Sequence, residues 1–223
     1  MQPLRDPRPT PDLKICGITD PEQAQAIAQM GVQAIGVIGV PATPRFVEPA
    51  QRRALFQMLE EQHPLLHRVW VVANPDDAAL EEALNGVGQP SVVQLHGGES
   101  VECCQRLKQR YSRQQWWKAL RVREPDDLKQ LEQYAPHVDA LLLDAWSADQ
   151  LGGTGHRIPL DWVRETELSV PWWLAGGVSA EWVPELLSRV NPQGLDASSR
   201  LEERPGWKNL DKVQALVEAV KQG

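Results

Sequence analysis

Short runs of apolar and β-branched residues alternate along the chain with longer amphipathic stretches, and the rhythm is regular. The apolar runs predict strands over residues 13–16, 34–38, 69–73, 91–95, 116–120, 140–143, 172–175 and 194–197. The amphipathic stretches predict helices between and after them. The first helix carries a clear start signal, with Asp20 as N-cap, Pro21 at the first helical position, then Glu22 and Gln23. The later ones are expected over 49–62, 76–84, 100–111, 125–134, 160–165, 180–189 and 210–221. Eight strand–helix units of about 26 residues each predict a parallel sheet covered by helices. The fold class expected is α/β, a single (β/α)8 TIM barrel over residues 13–223. An open doubly wound sheet is the competing layout. Against it, the chain shows no topological break, and the first strand runs into Gly17-Ile18-Thr19 instead of a G-x-G-x-x-G turn. Residues 1–12 hold Pro3, Pro7, Pro9 and Pro11 and no apolar stretch, and are expected to be a flexible lead-in, not a signal peptide.

Composition narrows the function classes. With 42% hydrophobic and 24% charged residues among 223, the chain reads as globular and not disordered. No apolar run approaches the ~20 residues that cross a bilayer, so no membrane partner is expected. A formal charge of −7 argues against nucleic acid, and an anionic ligand would have to be held by a local site. Cys16, Cys103 and Cys104 form an odd set without framework spacing, as expected of a reducing cytoplasm. No apolar stripe on the outer helices compels a partner, so a monomer or homodimer acting on a small molecule is expected. Nine Trp against two Tyr and two Phe is lopsided, and the sequence alone supplies no physical reason for it.

In such a barrel the chemistry sits where the strands end, C-terminally. The predicted strand ends supply Cys16, Arg45 in the following loop, Asn74, Gln94, His96, Arg121, Asp144, Gly176-Gly177 and Ser198-Ser199. Three small-residue turns, Gly152-Gly153-Thr154-Gly155, Gly176-Gly177 and Ser198-Ser199, follow the last three strands. Each alone is an ordinary turn, but together they sit where barrels of this class cradle a phosphate with backbone N–H groups. Lys14 shares a strand face with Cys16, so its ammonium is expected to draw the thiol's pKa down toward neutrality and yield a base or nucleophile. The plain alternative is a small buried hydrophobe. Asp144 ends an apolar strand, where desolvation suits a carboxyl to act as a general acid; otherwise it ties a loop. Arg45, in a loop stiffened by Pro41 and Pro44, has the fork to grip a carboxylate. Gln94 and His96 are further candidate substrate contacts, with a satisfied loop histidine as the alternative. The five histidines show no metal-ligand spacing, so no metal is expected.

The segments Lys14-Ile15-Cys16-Gly17-Ile18-Thr19, Thr43-Pro44-Arg45, Gln94-Leu95-His96-Gly97 and Leu142-Leu143-Asp144-Ala145 occur in that order. Gly152-Gly153-Thr154-Gly155, Leu174-Ala175-Gly176-Gly177 and Asp196-Ala197-Ser198-Ser199 follow. The series resembles the phosphoribosylanthranilate isomerase family of tryptophan biosynthesis, from Leu13 to near the C-terminus. The resemblance implies an acid–base Amadori rearrangement of N-(5-phosphoribosyl)anthranilate to 1-(2-carboxyphenylamino)-1-deoxyribulose 5-phosphate. It implies Asp144 as general acid, Cys16 as general base and Arg45 facing the anthranilate carboxylate. It further implies Gly155, Gly176, Gly177, Ser198 and Ser199 around the phosphate, and no metal or organic cofactor. The chain departs from the family pattern in four places. Arg200 stands where Gly usually follows the paired serines, and Val37-Ile38-Gly39-Val40 replaces an aromatic-bearing stretch. Trp182 stands where Asn is common, and Asn209 where Asp is common. The competing readings are a different lyase or synthase on the same phosphate-binding barrel, and a non-catalytic phosphate binder.

Overall fold

The computed structural model describes residues 10–145 and 156–223. Eight parallel strands close on themselves in chain order: β1 (Asp12–Cys16), β2 (Ala34–Ile38), β3 (His67–Val72), β4 (Val92–Leu95), β5 (Gln115–Val122), β6 (Ala140–Ala145), β7 (Trp172–Ala175) and β8 (Gly194–Ala197). The ring is sealed where β8 pairs with β1, Asp196 beside Lys14. Around it lie α1 (Pro21–Gln29), α2 (Pro49–Gln62), α3 (Asp77–Leu84), α4 (Val101–Arg110), α5 (Leu131–Tyr134), α6 (Leu160–Val163), α7 (Val183–Arg189) and α8 (Leu210–Gln222). The structure is the (β/α)8 barrel that the alternating pattern predicts.

Local chemistry explains most boundaries. Asp20 caps α1 by accepting from the Gln23 N–H at 2.9 Å. Helix α7 starts at Val183 and not at 180, because Pro184 lacks an N–H and fits only the first turn. The predicted helix over 125–134 is instead a 3₁₀ run (Pro125–Gln130) followed by the single turn of α5. Leu131 is its only buried residue, too narrow an apolar face to hold a regular helix. Past β8 lies a feature the sequence pattern missed, a hairpin of β9 (Glu202–Arg204) and β10 (Trp207–Lys208).

Strand alternation splits the apolar residues into two cores. Outward residues such as Ile15, Ile35, Val93, Leu141 and Leu195 pack with Ile27, Phe56, Leu80, Leu107 and Val213 of the helices. Inward residues Ala34, Val69, Val92, Trp117, Ala140, Leu142 and Trp173 fill the barrel itself. Here two of the nine tryptophans find a reason. The rings of Trp117 and Trp173 lie 4.7 Å apart across the interior, and their strand neighbours are Ala140 and Gly194. A Cβ on Gly194 would sit 2.3 Å from the Trp173 ring. Two indoles against two small residues thus make the floor that other barrels build from layers of branched aliphatics.

Candidate active site

Above that floor, a cavity of about 360 Å³ opens at the C-terminal ends of the strands. It is lined by Cys16, Arg45, Gln94, His96, Asp144, Gly176, Gly177, Ser198 and Ser199, so every predicted site residue within the described part of the chain converges there. Gly155 lies outside the described residues. Asn74 and Arg121, also at predicted strand ends, are exposed and take no part in the lining. Asn74 serves the β4–α4 loop instead, its N–H on Glu99 and its side-chain oxygen accepting from Gly98 N–H.

The acid candidate enters from β6 and the base candidate from β1, with only β7 and β8 between them on the closed ring. Asp144 is a strand residue, since β6 runs on to Ala145, and alternation turns its buried carboxyl inward with Ala140 and Leu142. His96 Nε2 stands 3.4 Å from Asp144 Oδ2, close but short of a hydrogen bond. Gln94 Nε2 and His96 Nδ1 lie 3.1 Å apart, so the two side chains are held against each other on the cavity wall. Gln94 Oε1 and His96 Nε2 are buried without a hydrogen-bond partner among the described residues. Buried orphan polar atoms on a cavity wall are sockets for ligand groups.

Cys16 corrects one expectation. Lys14 does share its face, but the ammonium is engaged at 2.9 Å by Asp196, which alternation brings inward from β8. Burial pushes the Cys16 thiol above its ordinary value; Lys14 and Lys208 oppose this without overcoming it. The Lys14 ammonium, for its part, resists burial because Asp196 and Cys16 hold it above the usual range. Room for both side chains comes from Gly36 on β2, where a Cβ would come within 2.8 Å of Cys16 Sγ.

Arg45 is buried, and its Nε and Nη2 donate to the two oxygens of Glu202 at 2.8 and 2.7 Å. Beside it, Ile38, Val40, Ala42 and Pro44 form an apolar wall, so the departure at Val37-Ile38-Gly39-Val40 leaves that side hydrophobic without an aromatic ring. Opposite, Gly176 (φ +92°) lets the backbone pass where a Cβ would meet His156 O at 2.6 Å. Ser198 Oγ donates to Cys16 O at 2.9 Å and so ties the small-residue turn after β8 to the end of β1. Arg200 sits in a short 3₁₀ turn (Ser199–Leu201) with its side chain at the cavity rim. Asn209, the other departure near this end, caps α8 by accepting from Lys212 N–H, a role Asn fills as well as Asp. Among the described residues no cluster of His, Cys, Asp or Glu could hold a metal ion.

Asp196, Glu202 and Lys208 are site groups that sequence reasoning passed over, and Lys14, which it paired with Cys16, is paired with Asp196. Asp196 had a signal, because β8 reads Gly194, Asp196 inward at period two. Glu202 and Lys208 had none beyond the turn pair Pro205-Gly206.

A family model described as N-(5'phosphoribosyl)anthranilate (PRA) isomerase matches residues 13–219. The N-(5'-phosphoribosyl)anthranilate isomerase of Synechococcus elongatus is 45% identical over 206 residues, covering 92% of this chain and 93% of the relative. That of Rippkaea orientalis is 40% identical over 210 residues, covering 94% and 96%. Among solved structures, phosphoribosyl anthranilate isomerase from Thermotoga maritima superposes with a TM-score of 0.83 at 27% identity, covering 96% of this chain and all of that one. Another, in complex with reduced 1-(o-carboxyphenylamino)-1-deoxyribulose 5-phosphate, gives 0.78 at 27% identity, with the same coverage. Barrel and sequence match along nearly the whole length, and the chain belongs to the N-(5'-phosphoribosyl)anthranilate isomerase family.

Proposed function

We propose that the chain carries out its family's isomerisation with Asp144 as general acid and Cys16 as general base. The substrate is N-(5-phosphoribosyl)anthranilate. Its phosphate lies against Gly176-Gly177 and Ser198-Ser199, with Gly155 as a further contact, and its carboxylate faces Arg45. Asp144 gives its proton to the furanose ring oxygen as the C1′–O bond breaks, and the anilino nitrogen supplies the electron pair that forms the Schiff base. Cys16, as thiolate, takes the C2′ proton, and those electrons neutralise the iminium to give an enolamine. The enolamine tautomerises to the ketone of 1-(2-carboxyphenylamino)-1-deoxyribulose 5-phosphate. Gln94 and His96 offer their orphan oxygen and nitrogen to the sugar. The observation that carries this reading is the convergence of Cys16 from β1 and Asp144 from β6, three strands apart on the ring, on one cavity lined by the small-residue turns.

Cys16→Ala and Asp144→Asn should each lower kcat by at least ~10²-fold in a purified-enzyme assay, the scale of a general acid or base, with KM changing far less. Neither variant should rescue a tryptophan auxotroph lacking the isomerase, while the parent chain should. A Cys16→Ala enzyme with near-normal turnover would remove the base assignment.

A further inference from the structure

Arg45 is clamped at both ends of its side chain. Its stem lies across Gly17, where a Cβ would come within 2.7 Å of Cδ, and its head is forked onto Glu202. Glu202 is itself fixed from behind. Lys208 Nζ donates to Glu202 Oε1 at 2.8 Å, and Gly206 N–H reaches the same oxygen at 3.2 Å. The hairpin carrying these residues is pinned to the start of α1: Gln23 receives Lys208 N–H and donates to Lys208 O, and Thr19 Oγ1 donates to Gly206 O. Glu202 lies outside the cavity lining, whereas Arg45 is part of it.

Two features of this cluster point toward a ligand. A guanidinium has five N–H groups, and Glu202 takes one from Nε and one from Nη2. Among the described residues no hydrogen bond uses the terminal edge, both hydrogens of Nη1 and one of Nη2, which has the fork to take a carboxylate. Among the described residues the charges of this cluster also do not balance: two buried cations, Arg45 and Lys208, share one carboxylate. A buried surplus cation is costly unless an anion completes the set. Burial by itself would raise the Glu202 carboxyl, but Arg45 and Lys208 outweigh it and keep the group ionised, below its ordinary value.

We infer that Glu202 is a positioning residue for the substrate carboxylate, holding the inner edge of Arg45 from behind the cavity so that the terminal edge faces the ligand. The inference rests on the assignment of Arg45 to that carboxylate in the proposed function. Lys208 fixes Glu202, and the substrate's carboxylate completes a set of two cations and two anions. The hairpin after β8 is thereby a specificity element, although none of its residues needs to touch substrate.

The test measures Kd for two ligands, reduced 1-(2-carboxyphenylamino)-1-deoxyribulose 5-phosphate and its counterpart with hydrogen in place of the carboxylate. Glu202→Gln should weaken the first about tenfold or more, the usual effect of losing a charge-assisted contact, and leave the second within about twofold. In an Arg45→Ala background the same change should add nothing to the loss for the carboxylated ligand. Equal losses for both ligands would show that Glu202 only maintains the loop, and overturn the inference. So would an unchanged or tighter Kd for the carboxylated ligand. If Arg45→Ala itself fails to distinguish the ligands, the carboxylate assignment falls and the inference with it. If Arg45→Ala distinguishes them and Glu202→Gln does not, the inference alone falls. Should Glu202→Gln not fold, Glu202→Gln with Lys208→Met removes the ammonium left unpaired and carries the same comparison. Failure of both to fold would assign Glu202 a purely structural role and overturn the inference.

Discussion

The floor and the mouth of this barrel are built from the same eight strands by the same inward–outward alternation, yet they solve different problems. At the floor, Trp117 and Trp173 fill the interior against Ala34, Ala140 and Gly194, and shape does the work. One layer up, the buried ion pair of Lys14 and Asp196 replaces hydrocarbon. At the mouth stand Cys16, Asp144, Arg45, Gln94 and His96, the last two each with one polar atom lacking a partner among the described residues. Replacing buried ion pairs by well-packed apolar groups is often neutral or stabilising, so charge above the floor contributes little to folding. The difference teaches that stability and chemistry are separated along the barrel axis, within side chains two residues apart on one strand.

Trp173→Ala should break that comparison at its firm end. Removing a buried indole from the floor should cost about 3–5 kcal/mol of unfolding free energy, read by denaturant titration. KM should stay near the parent value at a temperature where the variant is folded. A loss under about 1 kcal/mol would mean that the floor collapses around the gap and does not depend on the ring fit.

The mouth should respond to pH. The Cys16 thiol lies above its ordinary value, because burial outweighs Lys14, so the thiolate is scarce at neutrality. The neutral thiol therefore contributes stability that is fully present below the unfolded value of about 8.5 and is lost as pH rises through the higher folded value. Iodoacetamide labelling of Cys16, followed peptide by peptide, should accelerate only above about pH 8.5. Lys14→Met should move that limb further up, since it deletes the group that draws the thiol down. Rapid labelling at pH 7 would show that the thiolate forms despite burial. Cys104 gives an internal reference, because burial pushes its thiol up to about 12.

The barrel and the strand-end residues were legible because both follow from period-two alternation and from where each apolar run stops. That is why Cys16, Asp144, Gln94 and Ser198 fell into one mouth. What was not legible was the counter-ion of each cation. Lys14 meets Asp196 across 182 positions of sequence, and Arg45 meets Glu202 across 157. The ring must close before either pair exists, so the downward pull of Lys14 on Cys16, plausible from two neighbours on a strand, was overestimated. The hairpin was hidden for a different reason: Glu202-Glu203-Arg204 has no apolar alternation, and its strands are held by Gln23 and Thr19 of another unit. The tryptophans also needed the closed ring, since composition cannot say that Gly194 stands beside Trp173.

The smallest effect is expected at Arg200, the departure that directly follows the Ser198-Ser199 turn. Glycine is required only where φ is positive or where another group comes too close for a Cβ. Arg200 does not meet the first condition, since Asn74 is the only non-glycine residue with positive φ among those described, and Arg200 lies in a right-handed 3₁₀ turn. The residue is exposed at the rim, so a side chain is accommodated at this position. Arg200→Gly should therefore leave kcat within a few-fold, under about 1 kcal/mol of barrier. If the guanidinium reaches the substrate phosphate as well, the same change should raise KM and flatten the dependence of kcat/KM on ionic strength, because an exposed charge acts through screened solvent. A large gain in kcat on introducing glycine would contradict both outcomes. It would place the constraint in the turn itself and make the mouth, unlike the floor, a region where this chain has lost fit to its task.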